Sequence, residues 1–282
     1  MNILTFDIED WFHILDNPET QSVKEWSKFE SRLDLSLDLI LEMLNENDQR
    51  ATFFIVGWVA KKHPNSIKKI VDAGYEIGTH TDMHQLVYSQ NKSEFEEDLH
   101  RSINTLQDIS GDKIRCFRAP GFSITPETPW AFEALIKEGI EIDCSIFPAN
   151  RAHGGFNSFG TAEPVMLDVN GMKLKEFPIN VHQKVGRKLI FSGGGYFRLF
   201  PYQMIKSLTK KSPYVMSYFH PRDFDPGQPM VPGLSMTRKF KSYYGLKSTK
   251  PKLKKWIRDF EFIDIQKADS NIDWSVQRVL KL

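Results

Sequence analysis

Only two cysteines, Cys116 and Cys144, occur in 282 residues, each inside a short strand-like apolar run. So few thiols exclude a disulfide-stapled scaffold, and two buried free thiols are the expected state. Net charge is nearly absent as well, with 37 Lys and Arg against 36 Asp and Glu. No global field draws such a chain to nucleic acid or to an anionic membrane surface, which points to a small or neutral partner. No run approaches the roughly 18 uncharged apolar residues of a membrane helix. The opening Met1-Asn2-Ile3-Leu4-Thr5-Phe6 shows no basic n-region, no long apolar stretch and no small-residue cleavage site before the acidic Asp7. A cytoplasmic location is the expectation. Internal repeats and low-complexity linkers are missing too, so a single domain over residues 1–282 is expected, a length that α/β barrels commonly fill as one unit.

What is present is alternation. Short β-like runs alternate with amphipathic helical segments, the pattern of parallel βα units rather than of a sandwich or a bundle. Candidate strands are Ile3 to Phe6, Thr52 to Val56, Glu76 to Gly78, Ile114 to Phe117, Glu141 to Cys144, Tyr214 to Phe219 and Phe260 to Ile265. Between them Ser31 to Asn47 repeats leucine on one helical face behind a Ser cap. Pro64 opens another helix where its missing N–H costs nothing, and Gly74 closes it. Asn170-Gly171, set between two apolar runs, is a strong hairpin signal and marks an antiparallel insertion. The stretch Asp223 to Lys250 is rich in Pro, Gly, Lys and aromatics and reads as a long loop over one end. The expected architecture is therefore α/β, a single distorted (β/α)7-type barrel with a small β-hairpin insertion.

Active sites of such barrels collect where strands end and βα loops begin. The first strand runs into Asp7-Ile8-Glu9-Asp10, three acids where a strand should be apolar. Massed carboxylates repel unless a cation neutralises them, so the cluster suggests a metal site, although a solvated loop would look the same. The third strand runs into His80-Thr81-Asp82-Met83-His84, and two imidazoles four residues apart can converge on a first-row divalent ion. It is not the zincin HExxH motif, because Thr81 stands where that motif needs Glu. His13 sits near the acid cluster and could touch substrate, whereas His63 and His100 read as solvent-facing. The Ser192-Gly193-Gly194-Gly195 run ahead of Arg198 reads either as a tight turn or as a phosphate cradle.

A series of motifs then sets these clusters in order. Thr5-Phe6-Asp7, Ala51-Thr52-Phe53-Phe54, Gly74-Tyr75-Glu76-Ile77-Gly78-Thr79-His80-Thr81 with His84, Arg118-Ala119-Pro120-Gly121-Phe122-Ser123, Asp143-Cys144-Ser145 with Pro148, and Ser217-Tyr218-Phe219-His220-Pro221 span most of the chain. The series resembles that of the polysaccharide deacetylases, the NodB-type carbohydrate esterase family 4. Asp7-x-Glu9-Asp10-Trp11-Phe12, Ser192-Gly193-Gly194-Gly195-Tyr196-Phe197-Arg198 and Phe219-His220-Pro221 look closer to a subgroup found with exopolysaccharide assembly.

The resemblance implies hydrolytic N-deacetylation of an acetylated amino sugar or polysaccharide precursor, dependent on one divalent metal, with zinc the first expectation and cobalt or nickel able to substitute. It assigns His80 and His84 as ligands, Asp7 as general base, Arg118 as the partner that keeps Asp7 ionised, and the Gly121 N–H as an oxyanion donor. His220 is then the general acid and Asp143 the residue that orients it. Trp11, Phe122, Tyr196 and Arg198 are expected near the substrate, aromatic faces being suited to sugar rings. One departure from the usual family pattern is that Ile8 stands where a metal-binding Asp commonly follows the base. The carboxylate ligand is then Glu9, which strand alternation puts on the face of Asp7, or Asp10 if the chain bends at the strand end. Two other readings keep this motif set: a hydrolase of another C–N bond, such as a formamide or an allantoin-like ring, and an inactive homologue that only binds glycan.

Overall fold

Strands buried on both faces are suited to parallel pairing under a cover of helices, and the early strands of this chain are of that kind. The computed structural model describes all residues except 16, 152, 185 and 186. Its strands are β1 (Asn2–Ile3), β2 (Thr5–Ile8), β3 (Thr52–Ile55), β4 (Glu76–Thr79), β5 (Cys116–Phe117), β6 (Ile142–Asp143), β7 (Val165–Val169), β8 (Met172–Glu176), β9 (His182–Lys184), β10 (Arg187–Leu189), β11 (Val215–Met216) and β12 (Val279–Lys281). The main sheet runs β12-β7-β8-β6-β5-β4-β3-β2, and β2 through β6 pair in parallel. Asp7 N–H donates to Phe219 O at 2.7 Å and Phe219 N–H to Thr5 O at 3.1 Å, which carries the ladder past β11. Backbone pairing does not close the ring among the described residues. A side chain spans the opening instead: Asn180 Oδ1 accepts from Ser192 Oγ at 2.9 Å and from Met216 N–H at 3.0 Å. This is an α/β fold of parallel strands and helices, consistent with a distorted (β/α)7 barrel.

The pleat sorts the side chains. Phe6, Phe53 and Phe117 face outward into the larger apolar cluster, beneath helices Leu33–Asn45, Pro64–Asp72, Lys92–Ser110 and Trp130–Lys137. Phe54, Cys116, Ile142, Cys144 and Phe147 belong to a second cluster inside the curved sheet. Both thiols are free and buried. A Cβ on Gly78 would lie 2.8 Å from the Phe54 ring and 2.8 Å from Cys116 O, so glycine is what allows β4 to pass. The Asn170-Gly171 hairpin forms as expected, with φ of 51° and 85° at the two turn residues.

Two expected elements differ. Phe260 to Ile265 is no strand: it makes one bridge, Ile3 to Ile263, before helix Ile265–Ser270 begins behind Asp264, whose carboxylate accepts from Lys267 N–H at 2.8 Å. Asp223 to Lys250 is no continuous loop either, since helices Met236–Tyr243 and Leu246–Asp259 occupy much of it. Leu246, Thr249, Leu253, Trp256 and Ile257 form a buried stripe at helical spacing that overrides Pro251 inside the helix. The strand β12, which pairs with β7, has no counterpart among the expected strands.

Asp143 and Glu176 stand side by side in the β6–β8 register, both fully buried. Asp143 Oδ2 and Glu176 Oε2 each lack a partner, and one proton shared between the carboxyls would satisfy both. Burial, then the Asp143 charge, pushes Glu176 well above the usual carboxylate range. A raised folded-state pKa contributes stability below the unfolded value, about 4.3, that is lost as pH rises through the folded one. Glu176→Gln supplies the same donor without a titration. Urea unfolding is therefore expected to show the variant gaining on the wild type as pH rises from 5 to 8; parallel curves would mean that the pair shares no proton.

Candidate metal centre and catalytic pocket

Thr5 and Asp7 point inward from β2. Beyond the strand end Glu9 N–H donates to Asp7 O at 3.1 Å, and this turn leaves Glu9 on the Asp7 side. His80 follows β4, its N–H donating to Ile55 O at 2.9 Å. Thr81 and His84 adopt φ of 66° and 50°, left-handed values that cost a β-substituted residue about 1 kcal/mol or more. Asp98, from helix Lys92–Ser110, holds this loop by accepting from Asp82 N–H at 2.6 Å and Met83 N–H at 3.0 Å. The loop turns back on itself so that His84 reaches His80, their ring centroids 5.2 Å apart.

Glu9, His80 and His84 are all buried, and their ligand atoms lie within 4.8 Å of one another. His84 Nε2 is 2.7 Å from Glu9 Oε2. His80 Nδ1 lies 2.6 Å from Arg118 O; a carbonyl only accepts, so Nδ1 carries the hydrogen and Nε2 keeps its lone pair. Burial pushes His80 down to about 4 despite the Asp7 carboxylate, which keeps the ring neutral. Burial alone would raise Glu9, but the imidazoles of His84 and His220 outweigh it and hold the carboxyl down at about 2. Two imidazoles and one carboxylate suit zinc and other first-row divalent ions, and this donor set fits such an ion.

Asp10 is turned away from this cluster. Its Oδ1 accepts from Trp11 N–H at 2.9 Å and from Arg32 N–H at 3.2 Å, at the start of helix Leu33–Asn45. His13 Nδ1 accepts from Asp10 N–H at 3.0 Å, so Nε2 bears the hydrogen and has no lone pair for a metal. His13 is nonetheless buried and lines the pocket beside His84.

Arg118 is fully buried; its Nη1 donates to Asp7 Oδ1 at 2.8 Å and to Thr5 Oγ1 at 2.6 Å, and its Nε to Cys144 O at 3.2 Å. Across the pocket, His220 Nε2 is 3.8 Å from Asp7 Oδ2 and 4.0 Å from Glu9 Oε1. Burial alone would lower His220, but Glu9, Asp223 and Asp7 together push it up to about 9.

The partner of His220 is Asp223, not the expected Asp143. Asp223 Oδ2 lies 3.1 Å from His220 Nδ1 and also accepts His220 N–H at 3.0 Å. Asp143 is engaged by Ser145 Oγ at 2.5 Å and by Glu176 inside the sheet. A signal was available in His220-Pro221-Arg222-Asp223, where Pro at the first helical position and an acid at the third bring the carboxylate back over the preceding residue.

Arg198 lines the pocket and also braces Asp223: Nη1 donates to Asp223 Oδ1 at 2.6 Å and Nη2 to Lys241 O at 2.6 Å. Trp11 is core, edge-on to Phe12 and Phe29 with Nε1–H donating to Glu30 O at 3.0 Å. Gly121, Phe122 and Tyr196 do line the pocket, which encloses about 740 Å³. The glycine run is explained by packing, since a Cβ on Gly193 would lie 2.3 Å from Tyr218 O.

Fold and donor set thus define an α/β protein with a two-histidine, one-carboxylate cluster at the strand ends, flanked by an Arg-paired aspartate and an Asp-paired histidine. Comparison with known proteins narrows that class. Residues 29–137 match the family model "Polysaccharide deacetylase" and residues 144–269 match a "Domain of unknown function (DUF3473)". A peptidoglycan-N-acetylglucosamine deacetylase of Bacillus cereus is 32% identical over 95 residues, 33% of this chain and 34% of that protein. A peptidoglycan deacetylase of Helicobacter pylori is 26% identical over 113 residues, 40% of this chain and 38% of that one. The chain therefore aligns with only about a third of the length of the curated relatives it matches. Among solved structures, a provisionally assigned polysaccharide deacetylase from Mycobacterium smegmatis superimposes with a TM-score of 0.67 at 16% identity, covering 99% of this chain and 92% of that one. A CE4 family pseudoenzyme from Bacillus anthracis does so at 0.51 and 14%, covering 94% and 64%. Together these findings support the polysaccharide deacetylase family, some of whose relatives are pseudoenzymes.

Equilibrium dialysis against zinc separates the two acids. Glu9→Gln is expected to weaken zinc binding roughly tenfold or more, whereas Asp10→Asn, which keeps the Oδ1 acceptor, is expected to bind as the wild type does. The reverse order would move the ligand to Asp10.

Proposed function

We propose that the chain is a metal-dependent N-deacetylase of an acetylated amino sugar in polysaccharide or glycan biosynthesis, with zinc as the first candidate ion. The observation that carries this reading is the convergence of His220 Nε2 on Asp7 and Glu9 at 3.8 and 4.0 Å, which puts an acid, a base and a metal ligand around one point. A divalent ion held by Glu9, His80 and His84 would supply Lewis acidity and a lowered pKa for water. Asp7 accepts the proton of the attacking water, and Arg118 pairs with that carboxylate and orients it. Gly121 offers a backbone N–H beside the site for the oxyanion of the tetrahedral intermediate. His220 delivers its Nε2 proton to the leaving amine while Asp223 holds Nδ1. Phe122 and Tyr196 line the space where a sugar ring would lie. Retention of Asp7, both ligand histidines and His220 argues against a chain that only binds glycan.

The direct test incubates the zinc-loaded chain with N-acetylated and N-formylated sugars beside allantoin, reading released acid and the mass lost per sugar. Acetate from the acetylated sugars is expected; turnover of formamide or allantoin alone would shift the assignment to another C–N bond. Asp7→Asn is expected to abolish acetate release while zinc stays bound, and an active Asp7→Asn would remove Asp7 as the base.

The acid has its own signature in pH. His220 acts protonated, and its raised pKa means that the rate falls only as pH climbs through that value. Asp223→Asn withdraws one of the carboxylates that raise it, so the alkaline fall in kcat is expected to move to lower pH. Asp143→Asn is expected to leave that limb in place. Identical shifts in both variants would return Asp143 to the role of positioning residue.

A further inference from the structure

The pocket carries more positive charge than deacetylation uses. Of its acids, Asp7 is paired with Arg118, Asp223 with Arg198 and His220, and Glu9 with His84. Arg151, Arg222 and Lys241 line the same 740 Å³ space, and none of them makes an ion pair among the described residues. Arg151 lies against an aromatic wall, its guanidinium carbon 4.3 Å from the Phe147 ring centre and 4.8 Å from that of Phe122. Its Nη1 has no hydrogen-bond partner. Arg222 donates from Nε to Gln228 Oε1 at 3.2 Å and lies 5.6 Å from the Tyr243 ring centre, while its Nη2 has no partner either. Buried guanidinium N–H groups left without acceptors are costly, and a ligand that supplies the acceptors recovers that cost on binding. Beside these cations stands an exposed aromatic rim: Tyr196, Phe240 and Tyr244 are 41%, 56% and 49% exposed, and the last two rings sit 4.8 Å apart.

From this juxtaposition we propose that the pocket is built for an anionic glycan, in which a carboxylate or phosphate group adjoins the acetamido sugar and is taken by Arg151, Arg222 and Lys241. Planar guanidinium pairs with either oxyanion in a bidentate fork, and the aromatic rim takes the apolar face of a sugar. The acetamido part of the substrate rests on the deacetylase reading; the anion site does not.

The test measures binding rather than turnover. The zinc-loaded Asp7→Asn chain is titrated calorimetrically with N-acetylglucosamine, with its 1-phosphate, and with a disaccharide joining it to glucuronic acid. One charged probe at least is expected to bind roughly tenfold tighter than the neutral sugar, with the preference shrinking as salt rises; the arm that gains tells phosphate from carboxylate. Adding Arg151→Gln and Arg222→Gln together is expected to erase the preference, and Arg151→Gln alone to halve it or more should the pair fail to fold. Equal affinities for all probes, no binding of any, or a preference that survives the substitutions would overturn the proposal. Acetate release by the unsubstituted chain is read separately. Acetate without charge preference sinks only the anion site, and charge preference without acetate sinks only the deacetylase reading.

Discussion

Arg118 has no access to water, and a guanidinium in that position must find its counter-charge and acceptors inside the protein. Its Nη1 and Nε find them in Asp7, Thr5 and Cys144 O, which come from two different strand regions of the curved sheet, while Nη2 has no hydrogen-bond partner. The same residue fixes the Glu9–His80–His84 cluster through its backbone: Arg118 N–H donates to Thr79 O at 3.0 Å, and Arg118 O accepts from His80 Nδ1. One residue therefore holds Asp7 by its side chain and sets the tautomer of His80 by its carbonyl. Asp7 and His80 cannot drift apart unless the parallel ladder that carries them also breaks.

The opposite wall is assembled from the second half of the chain. His220 is held by Asp223, Asp223 by Arg198, and Arg198 by Lys241 O. The helix Gly194–Leu199 that carries Arg198 is tied down in turn by Lys252 Nζ, which donates to Phe197 O at 3.0 Å, Arg198 O at 2.6 Å and Phe200 O at 2.8 Å. Helices Met236–Tyr243 and Leu246–Asp259 thus brace the His220 side and bring Phe240 and Lys241 to the pocket. The wall falls within residues 144–269, apart from the 29–137 segment that matches the deacetylase model. Asp7, Glu9, His80 and His84 lie in or just after the early strands, whereas the cations of the pocket come mostly from the later wall.

Much of the frame is legible in local pattern. Alternating apolar runs, Pro64 and Gly74 at the ends of one helix, and Asn170-Gly171 in the hairpin specify backbone conformation within a few residues, and the folded chain follows them. Helix Leu246–Asp259 is less legible, because Pro251 and a high lysine content conceal a buried stripe that only packing against the barrel rewards. Phe260 to Ile265 carries strand-like residues, yet only Ile263 bridges to a strand, Phe262 and Ile265 donate instead to the side chains of Gln49 and Thr52, and Asp264 starts a helix.

The sequence by itself determined that three acids and two histidines stand at strand ends, and that alternation puts Asp7 and Glu9 on a common face. Tertiary structure alone decided which of two neighbouring acids meets the histidines, since Asp10 is drawn off by the N–H groups of Trp11 and Arg32, the latter 22 residues away. It likewise decided that Asp143 lies beside Glu176 while Asp223 serves His220. Residue type declares what a side chain can bind, but a carboxylate goes to whichever donor the fold brings near it, and that choice is made by contacts distant in the chain.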